Sequence, residues 1–240
     1  PGFITDLEPL RRSVREHSAL LLVDAAQSVG AIDIDVRALG IDALAVATQK
    51  CLLGFYGFGF LWVRRSLADT LKPGHVARYG IDLGEGAHET AIGSGELRFQ
   101  PGALRFDLGN FNYLGAAAAQ ASIELLRSIR MKRVETHLRS LAARLATGLL
   151  ELGLPVPGGA PGEHLAHIVS VGESGGGRHY TADDPKMNEL YDQLTRNGVR
   201  LSIRRGVLRM SLGIYNDEAD VDRVVALTRE WVNESRQGGP

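Results

Sequence analysis

The sequence is poor in features that would tie the chain to a disulfide framework, a membrane or a polyanion. Its 240 residues include one cysteine, Cys51, which excludes an internal disulfide and fits a reducing cytoplasm, where we expect the protein. No apolar run approaches the roughly 20 residues that a membrane-spanning helix needs. Acidic and basic residues nearly balance, 28 against 27, so charge gives no reason to expect nucleic acid as a partner.

Two short apolar runs, each followed by a polar side chain, are the most informative pattern in the chain. Residues 20–23 lead into Asp24, and residues 43–47 end shortly before Lys50. Both runs are short and apolar enough to predict buried strands. Ligands bind at the carboxyl ends of strands in open α/β sheets. The acid and the amine therefore suit a cofactor that needs a carboxylate at one end and an imine-forming lysine at the other.

The remaining sequence predicts further helices and strands. Apolar residues recur at helical spacing over residues 114–152, which predicts two helices or one bent helix. A hairpin is expected around Arg205 and Gly206. Residues 74–102 are rich in glycine and show no clear period, so we interpret them as a long functional loop.

Several residues around the two apolar runs stand at spacings found in a known enzyme family. They are Asp24, Gln27, Gly30, Asp42, Thr48, Gln49, Lys50, Gly57 and Gly59. This order resembles the class V aminotransferase family of pyridoxal-phosphate enzymes, which includes cysteine desulfurases and isopenicillin N epimerase-like proteins. The resemblance continues through residues 105–112 and 208–218 and so covers nearly the whole chain.

The resemblance implies an α/β fold, the pyridoxal-phosphate-dependent transferase fold type I. Residues 1–130 would be the C-terminal part of the large cofactor-binding domain, with a mostly parallel sheet, and residues 131–240 the small α+β domain. Family members carry a long segment before the residues matched here. We therefore expect this chain to lack the N-terminal part, including the loop that binds the cofactor phosphate. The resemblance also implies a homodimer.

Three residues match positions that hold the ring of pyridoxal 5'-phosphate in the family. Asp24 would stabilise the protonated ring nitrogen, and Gln27 would form a hydrogen bond with the phenolic oxygen. Lys50 would form the Schiff base and then act as acid and base at the substrate α-carbon. Considered alone, Asp24 is also compatible with an ordinary turn aspartate and Lys50 with a surface lysine.

Three further residues match positions near the cofactor phosphate. Thr48 would contact the phosphate, and Gln49 stands where a histidine usually precedes the lysine. Asn110 stands where the family carries a hydroxyl that is donated across a dimer interface. Capping of the helix that follows is an equal alternative for Asn110.

Arg209 matches the arginine that binds the substrate α-carboxylate in a fork geometry. The alternative is a strand arginine paired with a surface acid, while Arg204 or Arg205 could bind a distal carboxylate. Desulfurases use a cysteine shortly before this arginine, and the sequence has none there. Cys51 is expected to be a small buried residue. The seven histidines show no metal-ligand spacing, so no metal is expected.

The sequence therefore predicts a pyridoxal-phosphate enzyme, class V aminotransferase-like, that acts on an amino acid. Transamination, elimination and epimerisation are left open. One alternative is a C–S lyase or an isopenicillin N epimerase-like enzyme. A second alternative is a non-catalytic fragment that folds as a partner subunit and binds no cofactor. A persulfide-forming desulfurase is disfavoured by the missing cysteine.

Overall fold

The computed structural model describes residues 2–84 and 97–237, which form two units. The first unit comprises residues 6–128, and the second comprises residues 129–237 together with residues 2–5. Each unit has its own three-stranded sheet. Within the described ranges, no helix is long and apolar enough to cross a membrane.

The first unit is built on a mixed sheet. Strand β1 (Leu22–Asp24) runs parallel to β2 (Ala43–Ala47), with Asp24 opposite Ala45, whereas β3 (Gly59–Val63) is antiparallel to β2. The predicted loop over residues 74–102 lies partly outside the described residues. In chain order the elements are α1 (Glu8–Glu16), β1 (Leu22–Asp24), β2 (Ala43–Ala47), β3 (Gly59–Val63), α2 (Arg65–Ala68), two 3₁₀ turns (Arg78–Gly80 and Gly102–Phe106) and α3 (Tyr113–Ile129).

The prediction that the first apolar run forms a buried strand is only partly right about burial, since Leu21 is buried but its neighbours on either side are exposed. The strand is present, but Leu22 is 67% exposed and Leu20 is 51% exposed. Strand β1 is an edge strand, with β2 as its one neighbour in the described sheet. In β2, which has a strand on both sides, Leu44 and Val46 are buried as predicted.

Asp42 fixes where the strands of this sheet begin and end. Its Oδ2 accepts a hydrogen bond from the Leu21 N–H at 3.0 Å, and its Oδ1 accepts two from the Arg64 guanidinium, at 3.0 and 2.8 Å. Burial would raise the pKa of Asp42, but these hydrogen bonds outweigh burial and hold the pKa below its ordinary value. The contacts hold the register that places Asp24 at the carboxyl end of β1.

In the second unit, two helices pack against an antiparallel sheet with the strand order β4 (Ile168–Val171), β6 (Val207–Ser211), β5 (Ser202–Arg204), and the C-terminal helix packs against both of these helices. Its first helix is separated from α3 by Arg130, whose φ of 75° ends the helical path, so the predicted helical stretch is two helices. Fully buried side chains of its core include Leu138, Leu145, Leu149, Leu190, Leu194, Leu208 and Val221. The elements are α4 (Met131–Glu151), β4 (Ile168–Val171), α5 (Pro185–Arg196), β5 (Ser202–Arg204), β6 (Val207–Ser211) and α6 (Glu218–Gln237).

The predicted hairpin around Arg205 and Gly206 is confirmed. These two residues join β5 to β6 directly, with φ values of 47° and 88°. Positive φ at both central residues gives the turn a twist that matches the paired strands. A Cβ on Gly206 would lie 2.5 Å from the Gly176 carbonyl oxygen, so the turn also packs tightly against the preceding loop.

Candidate functional site

Asp24 stands at the end of β1, where the chain leaves the sheet. The pairing with β2 continues for one more residue, because the Ala25 N–H donates to the Ala45 carbonyl at 2.9 Å. One carboxylate oxygen of Asp24 accepts a hydrogen bond from the Ala26 N–H, also at 2.9 Å. The side chain is exposed. The turn therefore orients the carboxylate while leaving it accessible.

The turn after Asp24 lies directly against the turn that contains Lys50. Gly30 has a φ of 94°, and a Cβ on it would lie 2.4 Å from the Cys51 carbonyl oxygen. In the same contact, the Cys51 thiol donates to the Gln27 carbonyl at 3.7 Å. A glycine is required here, both for the positive φ and for the close approach. The contact joins the segment of Gln27 to that of Lys50.

Lys50 follows β2 at the same edge of the sheet as Asp24, since β1 and β2 are parallel. Its carbonyl accepts a hydrogen bond from the Leu53 N–H at 2.9 Å, which forms a tight turn. The side chain is exposed, and no hydrogen bond or ion pair to another described residue holds its ammonium group. The structure thus brings Asp24, Gln27 and Lys50 onto two contacting turns.

Thr48 is fully buried, and its hydroxyl donates to the carbonyls of Phe55 and Phe58, at 3.1 and 3.0 Å. Its own carbonyl accepts from the Gly54 N–H at 2.8 Å. These bonds tie the loop after Lys50 back onto the end of β2. The donor capacity of the hydroxyl is therefore used within the protein, and a phosphate contact by Thr48 stays a prediction.

Asn110 is exposed, and its side-chain oxygen accepts a hydrogen bond from the Tyr79 hydroxyl. The capping alternative for Asn110 is wrong, because α3 begins at Tyr113 and the Asn112 side chain accepts from the Gly115 N–H at 2.9 Å. Sequence reasoning missed Asn112, although an asparagine just before a helix start is a recognised capping signal. Phosphate contacts by Asn110 and by the half-buried Gln49 stay predictions.

The start of α3 packs against the loop that follows Lys50. A Cβ on Gly115 would lie 2.8 Å from the Phe58 Cβ, and the rings of Phe58 and Phe111 are 6.3 Å apart. The Ser122 hydroxyl also donates to the Leu53 carbonyl at 3.2 Å. Residues on both sides of the α3 start are therefore held beside the turn of Lys50.

Arg209 belongs to the second unit, on the central strand β6 of its sheet. It is half-buried, with Ser170 of β4 and Ser202 of β5 directly opposite on either side. His167, just before β4, is buried, and burial together with the nearby positive charge of Arg209 lowers its pKa to about 4. The imidazole is therefore neutral at physiological pH.

A cleft of about 810 Å³ lies at the opposite edge of the first sheet, where β2 begins and β3 ends. Its lining includes Asp42, Arg64 and Trp62, and none of the predicted site residues. Among the residues that the structure describes, no group of three or more histidine, cysteine or carboxylate side chains is arranged to hold a metal ion.

The family model described as Aminotransferase class-V matches residues 1–224. The chain belongs to this family. The uncharacterized aminotransferase YcbU of Bacillus subtilis is 30% identical over 232 residues, which are 95% of this chain and 56% of the relative. The chain thus spans little more than half the length of this curated relative.

Solved structures show the same fold. The apo structure of a cysteine desulfurase from Thermococcus onnurineus NA1 superposes with a TM-score of 0.79 at 24% identity, over 97% of this chain and 57% of that one. A mutant of C-DES with glycine covalently linked to its PLP cofactor superposes with a TM-score of 0.76 at 20% identity, over 95% of this chain and 57% of that one. The predicted fold type I, present in part, is confirmed.

Proposed function

We propose that the protein is a pyridoxal-phosphate enzyme that acts on an amino acid, with Asp24, Gln27 and Lys50 as the residues that hold the ring of the cofactor. The contact between the turn of Gly30 and the turn of Cys51 carries this proposal, because it joins an acid, an amide and an amine at one strand edge. Membership of the class V aminotransferase family supports the same chemistry.

The chemistry of these three side chains fits the proposed cofactor. A carboxylate such as that of Asp24 stabilises a protonated pyridine nitrogen, and an amide N–H such as that of Gln27 donates to a phenolic oxygen. Among the described residues, only the Ala26 N–H bonds to the Asp24 carboxylate, which leaves it lone pairs for a further donor. The bound cofactor supplies an electron sink for charge that develops at the substrate α-carbon.

Lys50 has two roles in this proposal. It attaches the cofactor through its amine, and after the substrate has displaced it, the free amine moves the proton at the α-carbon. Freedom from ion pairs with other described residues supports both roles, since a lysine locked against a carboxylate is a weaker nucleophile and base. Arg209 is proposed to bind the substrate α-carboxylate through its forked guanidinium.

Transamination is the reaction that we place first, with C–S lysis or epimerisation as the alternative. A persulfide route is disfavoured because β5 and β6 are joined by Arg205 and Gly206 alone, which leaves no loop for a mobile cysteine. Cys51, the single cysteine, lies instead in the turn after Lys50, with its thiol directed to the Gln27 carbonyl.

Absorbance titration with pyridoxal phosphate tests the proposal. The wild-type protein should gain a band at about 400–430 nm, as expected for lysine-bound cofactor. Lys50→Ala should abolish the band, whereas the control Lys72→Ala, which removes an exposed lysine of the same unit, should retain it. Analysis of products from a labelled amino acid then separates a keto acid from pyruvate with sulfide or from the opposite enantiomer. Wild-type protein that takes up no cofactor would favour the non-catalytic partner subunit.

The homodimer implied by the family is part of the proposal. Large exposed aromatic side chains in the first unit support it, because such surface is usually covered by a partner. They are Phe55, Tyr56, Phe111 and Tyr113. Sedimentation equilibrium across a range of protein concentrations should give twice the chain mass, and a monomer at all concentrations would contradict this part.

A further inference from the structure

The sheet of the second unit has a buried apolar face and a more polar face, on which serine and arginine side chains lie beside the buried Ile168 and Val207. Residues at positions 203, 208 and 210 are buried, and they alternate along β5 and β6 with residues that point the other way. Cross-strand pairing aligns Ser170, Arg209 and Ser202 in one row on the polar face. Arg204 lies two residues beyond Ser202 on β5 and so shares this face. The polar face therefore presents two arginines.

Arg204 is held in place rather than extended into solvent. Its guanidinium carbon lies 4.4 Å from the centroid of the Tyr180 ring, a cation–π contact. The segment that carries Tyr180 is tied to the β5–β6 turn, because the Gly206 N–H donates to the Thr181 carbonyl at 3.1 Å. The Gly175 N–H donates to the Arg205 carbonyl at 2.9 Å in the same way. The ring thus covers one side of the guanidinium and orients it.

The Nη1 atom of Arg204 is buried and has no hydrogen-bond partner among the described residues. A buried donor without a partner destabilises a fold, and more strongly when it is charged. Such groups are rare in folded proteins and call for an acceptor. Arg204 forms no ion pair with another described residue that could supply an acceptor. Its side chain instead contacts the Tyr180 ring. An anionic group would supply an acceptor that also matches the charge of the guanidinium.

We propose that Arg204 binds a second anionic group, carried on the side chain of the substrate, while Arg209 binds the α-carboxylate. The proposal rests on the role of Arg209 in the proposed function. Arg204 is opposite Val207 and Arg209 is opposite Ser202, so the two arginines are diagonal neighbours. Diagonal neighbours have their Cα atoms about 7–8 Å apart, and long side chains bridge this distance. The substrate class is therefore an amino acid with an acidic side chain.

Comparison of glutamate with glutamine tests this inference, because the two substrates differ in side-chain charge and little in size. In the cofactor-loaded protein, Arg204→Gln should raise KM for glutamate by about tenfold or more and for glutamine by no more than about twofold. The control Arg205→Gln removes an adjacent exposed arginine and should change neither value. Thermal unfolding should show that both variants are folded. The same KM measurements with O-phosphoserine as the substrate distinguish a phosphate from a carboxylate as the side-chain anion.

A second readout does not depend on turnover. Equilibrium dialysis with labelled glutarate should show a Kd raised about tenfold in Arg204→Gln and in Arg209→Gln, but unchanged in Arg205→Gln. Tyr180→Ala should also weaken glutarate binding, because the ring that orients Arg204 is lost. If the protein shows no turnover but binds glutarate in a way that depends on both Arg204 and Arg209, the proposed function is contradicted and the anion site is supported. Equal losses for glutamate and glutamine in Arg204→Gln would overturn the inference.

Discussion

The main chain of Gly30 touches the main chain of Cys51 so closely that no side chain fits at residue 30. A Cβ there would lie 2.4 Å from the Cys51 carbonyl oxygen and 2.5 Å from its carbonyl carbon. Backbone cannot move aside as the end of a flexible side chain can. The contact therefore couples the turn that follows Asp24 to the turn that contains Lys50.

Gly30→Ala should separate these turns. The substitution combines the strain of a non-glycine residue at φ 94° with the overlap on Cys51, and we expect a loss of about 2 kcal/mol or more in the free energy of unfolding. Cofactor uptake should fall at the same time. Urea denaturation and the absorbance titration measure the two effects. Gly74→Ala, at a position with open space around it, should stay within about 0.5 kcal/mol of wild type.

Asp42→Asn should destabilise the protein by about 1–2 kcal/mol, because it removes the charge that holds Arg64 and weakens the bond from the Leu21 N–H. The pKa of Asp42 is lowered in the fold, so its stabilising effect is present above the ordinary aspartate pKa and is lost as pH falls through the lower folded value. Urea denaturation at neutral and acidic pH measures this. The control Asp192→Asn should have little effect, and an equal loss there would contradict the explanation.

Local sequence signals predicted the second unit well. The turn at Arg205 and Gly206 follows from turn chemistry, and helical periodicity predicts helix on both sides of Arg130; these signals act within a few residues. Periodicity left open whether residues 114–152 form two helices or one bent helix, which the structure decides in favour of two. The exposure of Leu22 did not follow, because an apolar run predicts a strand and does not show whether another element covers it. Burial depends on neighbours that are distant in the chain.

The site shows the same division between local and distant information. Motif spacing identified Asp24, Gln27 and Lys50 as candidate site residues. The structure adds the contact that joins the turns on which they lie. The stacking of Tyr180 on Arg204 had no signal in the sequence, since the two residues are far apart in the chain and meet only through the β5–β6 turn.

His167 should make the stability of the protein depend on pH. Its pKa is about 4 in the fold against an ordinary value of 6.5, because burial and Arg209 disfavour the protonated form. The unfolded chain therefore binds the proton more readily, and stability is lost as pH falls from about 6.5 towards about 4. The loss amounts to about 3 kcal/mol. His167→Gln should flatten this part of the pH profile in urea denaturation, whereas the exposed His75→Gln should leave the slope unchanged.

Thr48 offers a test that separates its observed contacts from its predicted one. Thr48→Val removes the buried hydroxyl that donates to the carbonyls of Phe55 and Phe58 and leaves these carbonyls with one donor fewer, so the free energy of unfolding should fall by about 1–3 kcal/mol. Thr48→Ser keeps the hydroxyl and should lose less than half as much. Titration with pyridoxal and with pyridoxal phosphate then isolates the phosphate. If Thr48→Val weakens the binding of both to the same extent, the hydroxyl acts on the loop after Lys50, and a selective loss for pyridoxal phosphate would establish the phosphate contact.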